Sequence, residues 1–302
     1  MSGVIDEAAP LGEADPAALA GVEVPEAVKR QRRSWGLAFW LAAGWLCLVL
    51  FCALFADWLP LKSPVDPAVR NKLSPPTTEN WLGTDNLGRD ILSRLIHGAR
   101  VSVIISLSAV GIGGVIGGLL GMTVGYFRGA IETVVMRLID IILAFPAIVL
   151  LLAMINAKGQ NLPVICLTIG FLSIPIYTRV ARANTMTVVE REYVRTARTI
   201  GAGHGRVLFR EVLPNVLPSV LAYALVAMGV VVVLEGSLAF LGLSVPMPRP
   251  TWGGMIFEAK RVLRDDPMVS AIPAFTMFLT VLSLNFVGDA LRSRFDVKEA
   301  RL

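Results

Sequence analysis

The chain has 302 residues, 55% of them hydrophobic, with a mean hydropathy of +0.66. An ordinary soluble domain is about 45–50% apolar even with glycine counted, so this is the composition of an integral protein of a lipid bilayer. The formal charge of +5 lies in tails and loops that flank apolar runs, which membrane orientation explains without any nucleic-acid partner.

Residues 1–28 are rich in Ala, Pro, Glu and Asp, and Lys29, Arg30, Arg32 and Arg33 follow. The expectation for 1–33 is a disordered, basic-ended cytoplasmic tail, without the basic start of a secretory signal. The uncharged run 34–56 is long enough to span, since a crossing needs about 20 residues. Trp35 and Trp58 at its two ends read as interface anchors. Residues 34–100 thus hold the first transmembrane helix and an extracytoplasmic segment, in which Asp85 and Asp90 can cap a short amphipathic helix.

A second span is predicted over 101–124, where Gly113, Gly117, Gly121 and Gly125 recur every fourth residue. That spacing puts them on one helix face and lets a neighbouring helix approach closely. A nucleotide-binding loop is the wrong reading. Its third glycine would fall at Ile116, and no Lys-Ser or Lys-Thr follows.

Residues 126–137 form a cytoplasmic turn, and a third span runs to 157 with Asp140 and Pro146 inside it. Asp140 is expected to act as a packing or hinge charge rather than a proton relay, with Arg137 one turn away as its partner. Further spans are predicted over 162–180, 216–241 and 269–289. Glu235, near the outer end of the fifth, either faces a pathway or pairs locally. The transmembrane core is therefore 101–290, and 291–302, with Arg292, Arg294, Lys298 and Arg301, forms a cytoplasmic tail. Cys47, Cys52 and Cys166 all lie in apolar runs, and His97 and His204 stand alone, so no disulfide framework or metal site is indicated. The expected fold is an all-α membrane protein of six transmembrane helices with both termini inside.

The stretch 190–218 is too charged for hydrocarbon, carrying Arg191, Arg195, Arg198, Arg206 and Arg210 with Glu190, Glu192 and Glu211. Residues 190–200 favour a helix that Gly201 ends, 204–212 read as a second short helix, and Pro214 and Pro218 mark the return to the membrane. The result is a compact polar knob suited to docking a soluble partner. Tyr193, Ile200, Val207 and Leu208 are expected to supply apolar contact.

The spacing of Ala197, Gly201, Leu213 and Pro214 resembles the EAA loop of ABC-importer permeases: Glu-Ala-Ala, three residues, Gly, nine residues, Ile, one residue, Leu-Pro. Arg195, Thr196 and Glu211 depart from it, standing where that pattern has Glu, Ala and Ile. Four further segments resemble the dipeptide, oligopeptide and nickel branch, in particular its C-type permease: WLGTDNLGRDILSRLIHGARVS from Trp81, DIILAFP from Asp140, LEGSLAFLG from Leu234 and PRPTWG from Pro248. The resemblance implies a permease subunit in a bacterial inner membrane, itself without ATPase or cofactor. A homologous second permease, two ATP-binding subunits that hold ATP and Mg, and an extracytoplasmic solute-binding protein would complete the importer. It assigns Tyr193, Arg195, Thr196, Ala197, Thr199, Ile200, Gly201, Ala202, Leu213 and Pro214 to the ATPase-coupling loop. Peptides are the leading cargo, with nickel chelates, haem and other small solutes as alternatives. A self-sufficient ion-coupled transporter would need charges near mid-membrane, where only Asp140 and Glu235 are available. A scaffold without transport activity is the third class.

Overall fold

The structure, a computed structural model, describes residues 36–299. The expected N-terminal tail, Trp35 and Arg301 lie outside these residues. Nine helices organise the described chain: α1 (Leu37–Phe55), α2 (Ile91–Phe127), α3 (Gly129–Ala144), α4 (Ala147–Lys158), α5 (Leu162–Val189), α6 (Glu192–Thr199), α7 (His204–Phe240), α8 (Trp252–Ala259) and α9 (Met268–Glu299). Among the described residues the one β-bridge joins Thr84 to Asp90. Five helices, α1, α2, α5, α7 and α9, are long and apolar enough to cross a membrane, and α3 with α4 forms a sixth hydrophobic pair bent by 82°. Large apolar side chains face outward along the bundle, Leu107, Val230 and Phe275 among them. An aqueous solvent would penalise this; hydrocarbon does not.

The expected turn over 126–137 narrows to the corner at Arg128 and Gly129, both at positive φ, and the chain is helical again from Gly129. Besides this, four boundaries differ from the expectation, each for a local reason. Helix α2 begins at Ile91 rather than 101, because Asp90 caps it: Ser93 N–H donates to Asp90 Oδ2 at 2.7 Å. Asp85 does not cap. Its carboxylate accepts from Arg89 Nε at 2.7 Å and from the Leu87 and Arg89 N–H groups. The third span is not continuous through Pro146 but breaks there. Proline offers no N–H to the ladder and forces its predecessor out of the helical region, and Phe145 sits at φ −85°, ψ 132°. Helix α5 continues to Val189 instead of stopping at 180, starting from an Asn161 cap that accepts from Val164 N–H at 3.0 Å.

The fourth difference concerns 204–218. The second short helix and the fifth span are one helix of 37 residues, α7, and Pro214 and Pro218 lie within it. A wide turn over Val207–Val212 makes this possible, with Leu213 N–H donating five residues back to Leu208 O. Such π-type turns reorganise the ladder locally, here just before Pro214.

Helices α2 and α5 pack with backbones nearly touching. A methyl group added at Gly117 would lie 2.5 Å from Ile174 O, and one at Gly125 would lie 2.9 Å from Arg182 O. At Gly121 it would strike Thr178 O, and at Gly113 it would meet Ser173 Cβ at 2.6 Å. All four glycines therefore face α5 of the same chain. At the opposite end from α6, Arg89 and Arg94 converge on Asp85 and Glu258 of α8, and Arg94 meets Glu258 at 3.0 Å. These side chains are 1–12% exposed, so the network fastens the segment before α2 to α8 out of water. His97 Nδ1 lies 2.8 Å from Ser93 O within α2.

Candidate functional site

The polar knob is built from the end of α5, all of α6 and the start of α7. Helix α6 carries Glu192 in its first turn and Arg198 in its last, both favourable to its dipole. Its end is a Schellman motif: Gly201 has φ +84°, its N–H donates to Arg198 O at 3.0 Å, and Ala202 N–H donates to Ala197 O at 3.0 Å. The spacing of Ala197 and Gly201 thus has a geometric meaning. Ala197 supplies the carbonyl that the turn returns to, and Gly201 supplies the left-handed residue. Ala197 and Ala202 pack half-buried on one apolar cluster, together with Tyr193 and Leu213.

That cluster belongs to the chain itself. Val194 and Val207 are 0% exposed and Leu208 is 7% exposed, so Val207 and Leu208 are core residues and not docking contacts as expected. The apolar groups that the knob does present are Ile200, 79% exposed, and Phe209, 60% exposed. Arg195, Thr196, Thr199 and Gly201 stand exposed beside Ile200, and Pro214 is exposed farther along α7.

Three residues at the foot of α2 reach this knob. The Tyr126 hydroxyl lies 3.0 Å from His204 Nδ1, and the Arg198 guanidinium sits 4.4 Å from the centre of the Tyr126 ring. Phe127 also packs its ring against His204. Arg128 donates to Glu190 Oε1 at 2.8 Å, while Arg195 donates to Glu190 Oε2 at 2.5 Å. The Arg195 hydrogen bond, followed by that of Arg128, holds the Glu190 carboxyl below its ordinary value of 4.5. The sequence reading missed Tyr126 and Arg128, which it saw only as part of a short turn.

The two intramembrane charges lie elsewhere. Asp140 pairs with Arg179 of α5 at 2.7 Å and not with Arg137, and Arg182 pairs with Glu132 beside it. One helical turn is less favourable for Asp140 than the facing helix, because α5 brings a guanidinium directly opposite. Glu235 is 1% exposed and accepts from the Ser244 hydroxyl at 2.5 Å. Its other oxygen, Oε2, is buried without a hydrogen-bond partner. An apolar cavity of about 320 Å³ lies between α2 and α7, lined by Val110, Gly114, Met122, Tyr177, Val216 and Val220 among others. It carries no catalytic constellation, and no cluster of three metal-ligating side chains occurs among the described residues.

A bundle of apolar spans with a polar knob at one end defines a multi-spanning membrane protein, and known proteins specify its class. Residues 117–299 match the family described as the binding-protein-dependent transport system inner membrane component. The chain is 39% identical to the di/tripeptide transport system permease protein DppC of Pseudomonas aeruginosa, over 84% of this chain and 86% of that one. It is 35% identical to the glutathione transport system permease protein GsiD of Pectobacterium atrosepticum, over 85% and 86%. Its fold is similar to a chain of the MetNI methionine ABC transporter in an inward-facing conformation, with a TM-score of 0.55 and 15% identity, covering 68% of this chain and 97% of that one. The chain belongs to the family of binding-protein-dependent inner-membrane transport components. It is the transmembrane permease part of an ABC importer, in a bacterial inner membrane, and permeases of this kind have no ATPase activity of their own.

Proposed function

We propose that this chain forms one half of the transmembrane pathway of an ATP-driven importer of short peptides, a homologous permease forming the other half. A solute-binding protein delivers cargo outside, and two ATP-binding subunits, holding ATP and Mg, dock inside. In this reading α3 and α4 together are the sixth crossing, and both termini lie in the cytoplasm. The cargo assignment leans on relatives named for dipeptides and for glutathione, itself a short peptide.

The docking element is the knob. Arg195, Thr196, Thr199, Ile200 and Gly201 form its exposed crown, Tyr193, Ala197 and Ala202 back that crown, and Leu213 and Pro214 follow within α7, past its widened turn. The observation that carries this is how the crown is built: a Schellman-capped helix set on the buried side chains of Val194 and Val207, between two long spans. Closure of the ATPase pair would displace the crown, and α5 and α7, continuous with it on either side, would tilt and reorient the pathway.

Reconstitution in liposomes with the partner subunits and binding protein tests the proposal. Labelled dialanine or glutathione is expected to enter only with ATP. Uptake by the chain alone, driven by an ion gradient without nucleotide, would instead make it a secondary transporter.

A further inference from the structure

The corner between α2 and α3 is made by Arg128, at φ 52° and ψ −165°, followed by Gly129 at φ 65°. Almost only glycine adopts the Arg128 conformation, because a Cβ there meets its own backbone. The side chain incurs a further cost, since Nε is buried without a hydrogen-bond partner. The ion pair it makes with Glu190 is 41% and 49% exposed, and pairs so open to solvent contribute little stability. Stability therefore does not account for an arginine at this corner.

Position does. The side chain crosses from the α2–α3 corner to Glu190, at the cap of α5, and Glu190 in turn holds Arg195 on α6. Its neighbours Tyr126 and Phe127 grip Arg198 and His204 from the same corner. Three consecutive residues thus touch the end of α5, α6 and the start of α7. By chain connectivity, displacement of the crown reaches α5 and α7 directly, and α5 bears on α2 and α3 through the glycine contact and the Arg179–Asp140 and Arg182–Glu132 pairs. Helix α6 and the start of α7 meet the α2–α3 corner through these three residues.

We infer that Arg128 is a positioning residue for energy coupling, tying the knob to the α2–α3 corner so that both move as one body. This rests on the knob being the ATPase docking element. The test uses the whole importer complex in nanodiscs, with Cys47, Cys52 and Cys166 replaced and spin labels at Leu119→Cys on α2 and at Glu192→Cys, exposed on α6 and outside the crown. In the parent, the distance between labels stays the same when ATP is added. In Arg128→Gly, which relaxes the backbone and removes the tether, it shifts on adding ATP, while ATP hydrolysis continues and the thermal midpoint is unchanged or higher. Arg128→Lys, which keeps the charge, restores the fixed distance. An ATP-independent distance in Arg128→Gly overturns the inference, as does a lowered midpoint, which makes Arg128 a structural residue. A separate Thr199→Cys cross-link to the ATPase distinguishes the failures. If the otherwise unaltered complex gives none, the docking reading falls and this inference with it; if it does, only the tether is at stake.

Discussion

The N–H of Ala202 donates to the carbonyl of Ala197 at 3.0 Å, closing the turn that sets Ile200 at the tip of the knob. This bond exists because Gly201, between them, holds φ at +84°. A Cβ at Gly201 would meet nothing within 4 Å, so substitution there is penalised by the backbone alone, at about 1–2 kcal/mol for a branched residue. Gly201→Val should lower ATP-driven uptake while leaving the protein in the membrane. Gly201→Asn, which tolerates the left-handed region, should retain more uptake than Gly201→Val. Gly201→Asp tests the added charge on the crown and should uncouple transport. Membrane abundance and uptake, measured together, decide among these outcomes.

The contact between α2 and α5 separates adjacent glycines. Gly117 faces Ile174 O, whereas a Cβ at Gly118 would meet nothing within 4 Å. Gly117→Ala is expected to cost about 1–3 kcal/mol by overpacking, Gly117→Leu more, and Gly118→Ala nothing. Leu119→Ala, on an exposed side chain, should also leave assembly intact. Thermal midpoints of the detergent-solubilised complex give the ranking, and equal midpoints for Gly117→Ala and Gly118→Ala would refute the close approach.

At the end of the bundle opposite the knob, Glu258 compensates two buried guanidiniums, Arg89 and Arg94. Removing it leaves them sharing Asp85, and breaking a buried pair costs about 3–5 kcal/mol. Glu258→Ala should therefore abolish stable assembly. The same substitution at Glu79, whose pair with Lys62 is 79% exposed on the Glu79 side, should be nearly silent. Expression and midpoint measurements compare them.

Glu190 makes a pH prediction with a definite sign. Its carboxyl is held below 4.5 in the fold, so its pairing with Arg195 and Arg128 is fully present above that value. It is lost as pH falls through the lower folded value. Carbon-detected NMR titration should show Arg195→Ala moving Glu190 back towards 4.5 further than Arg128→Ala does, since the Arg195 hydrogen bond is the larger cause. The opposite order would contradict the geometry.

The knob and the long helices were legible in the sequence because charge, hydropathy and a turn glycine are local signals. Gly201 announces its own φ, and the run from Leu37 to Phe55 announces a span. What was hidden depended on partners distant in sequence. Asp140 has Arg137 nearby but pairs with Arg179, 39 residues away, and Arg128 reaches Glu190 across 62 residues. Val207 and Leu208 looked available for docking because no sequence pattern shows that they join Val194 and Tyr126 in one buried cluster. Pro146 and Pro214 have the same chemistry and opposite outcomes, a break and a continuous helix. A widened turn before Pro214 makes the difference, and it is a property of the three-dimensional ladder.

Docking of the ATPase at the crown of α6 is the central claim, and one cross-link addresses it most directly. With Cys47, Cys52 and Cys166 replaced, Ile200→Cys, at a position 79% exposed in the isolated chain, is treated with a short bifunctional thiol reagent in inverted inner-membrane vesicles containing the full importer. A covalent adduct between this chain and the ATP-binding subunit is expected, with ATP hydrolysis and uptake arrested by the bond. A cysteine at Ile200 that reacts only with reagents applied outside intact cells, and never with the ATPase, would contradict both the orientation and the coupling role.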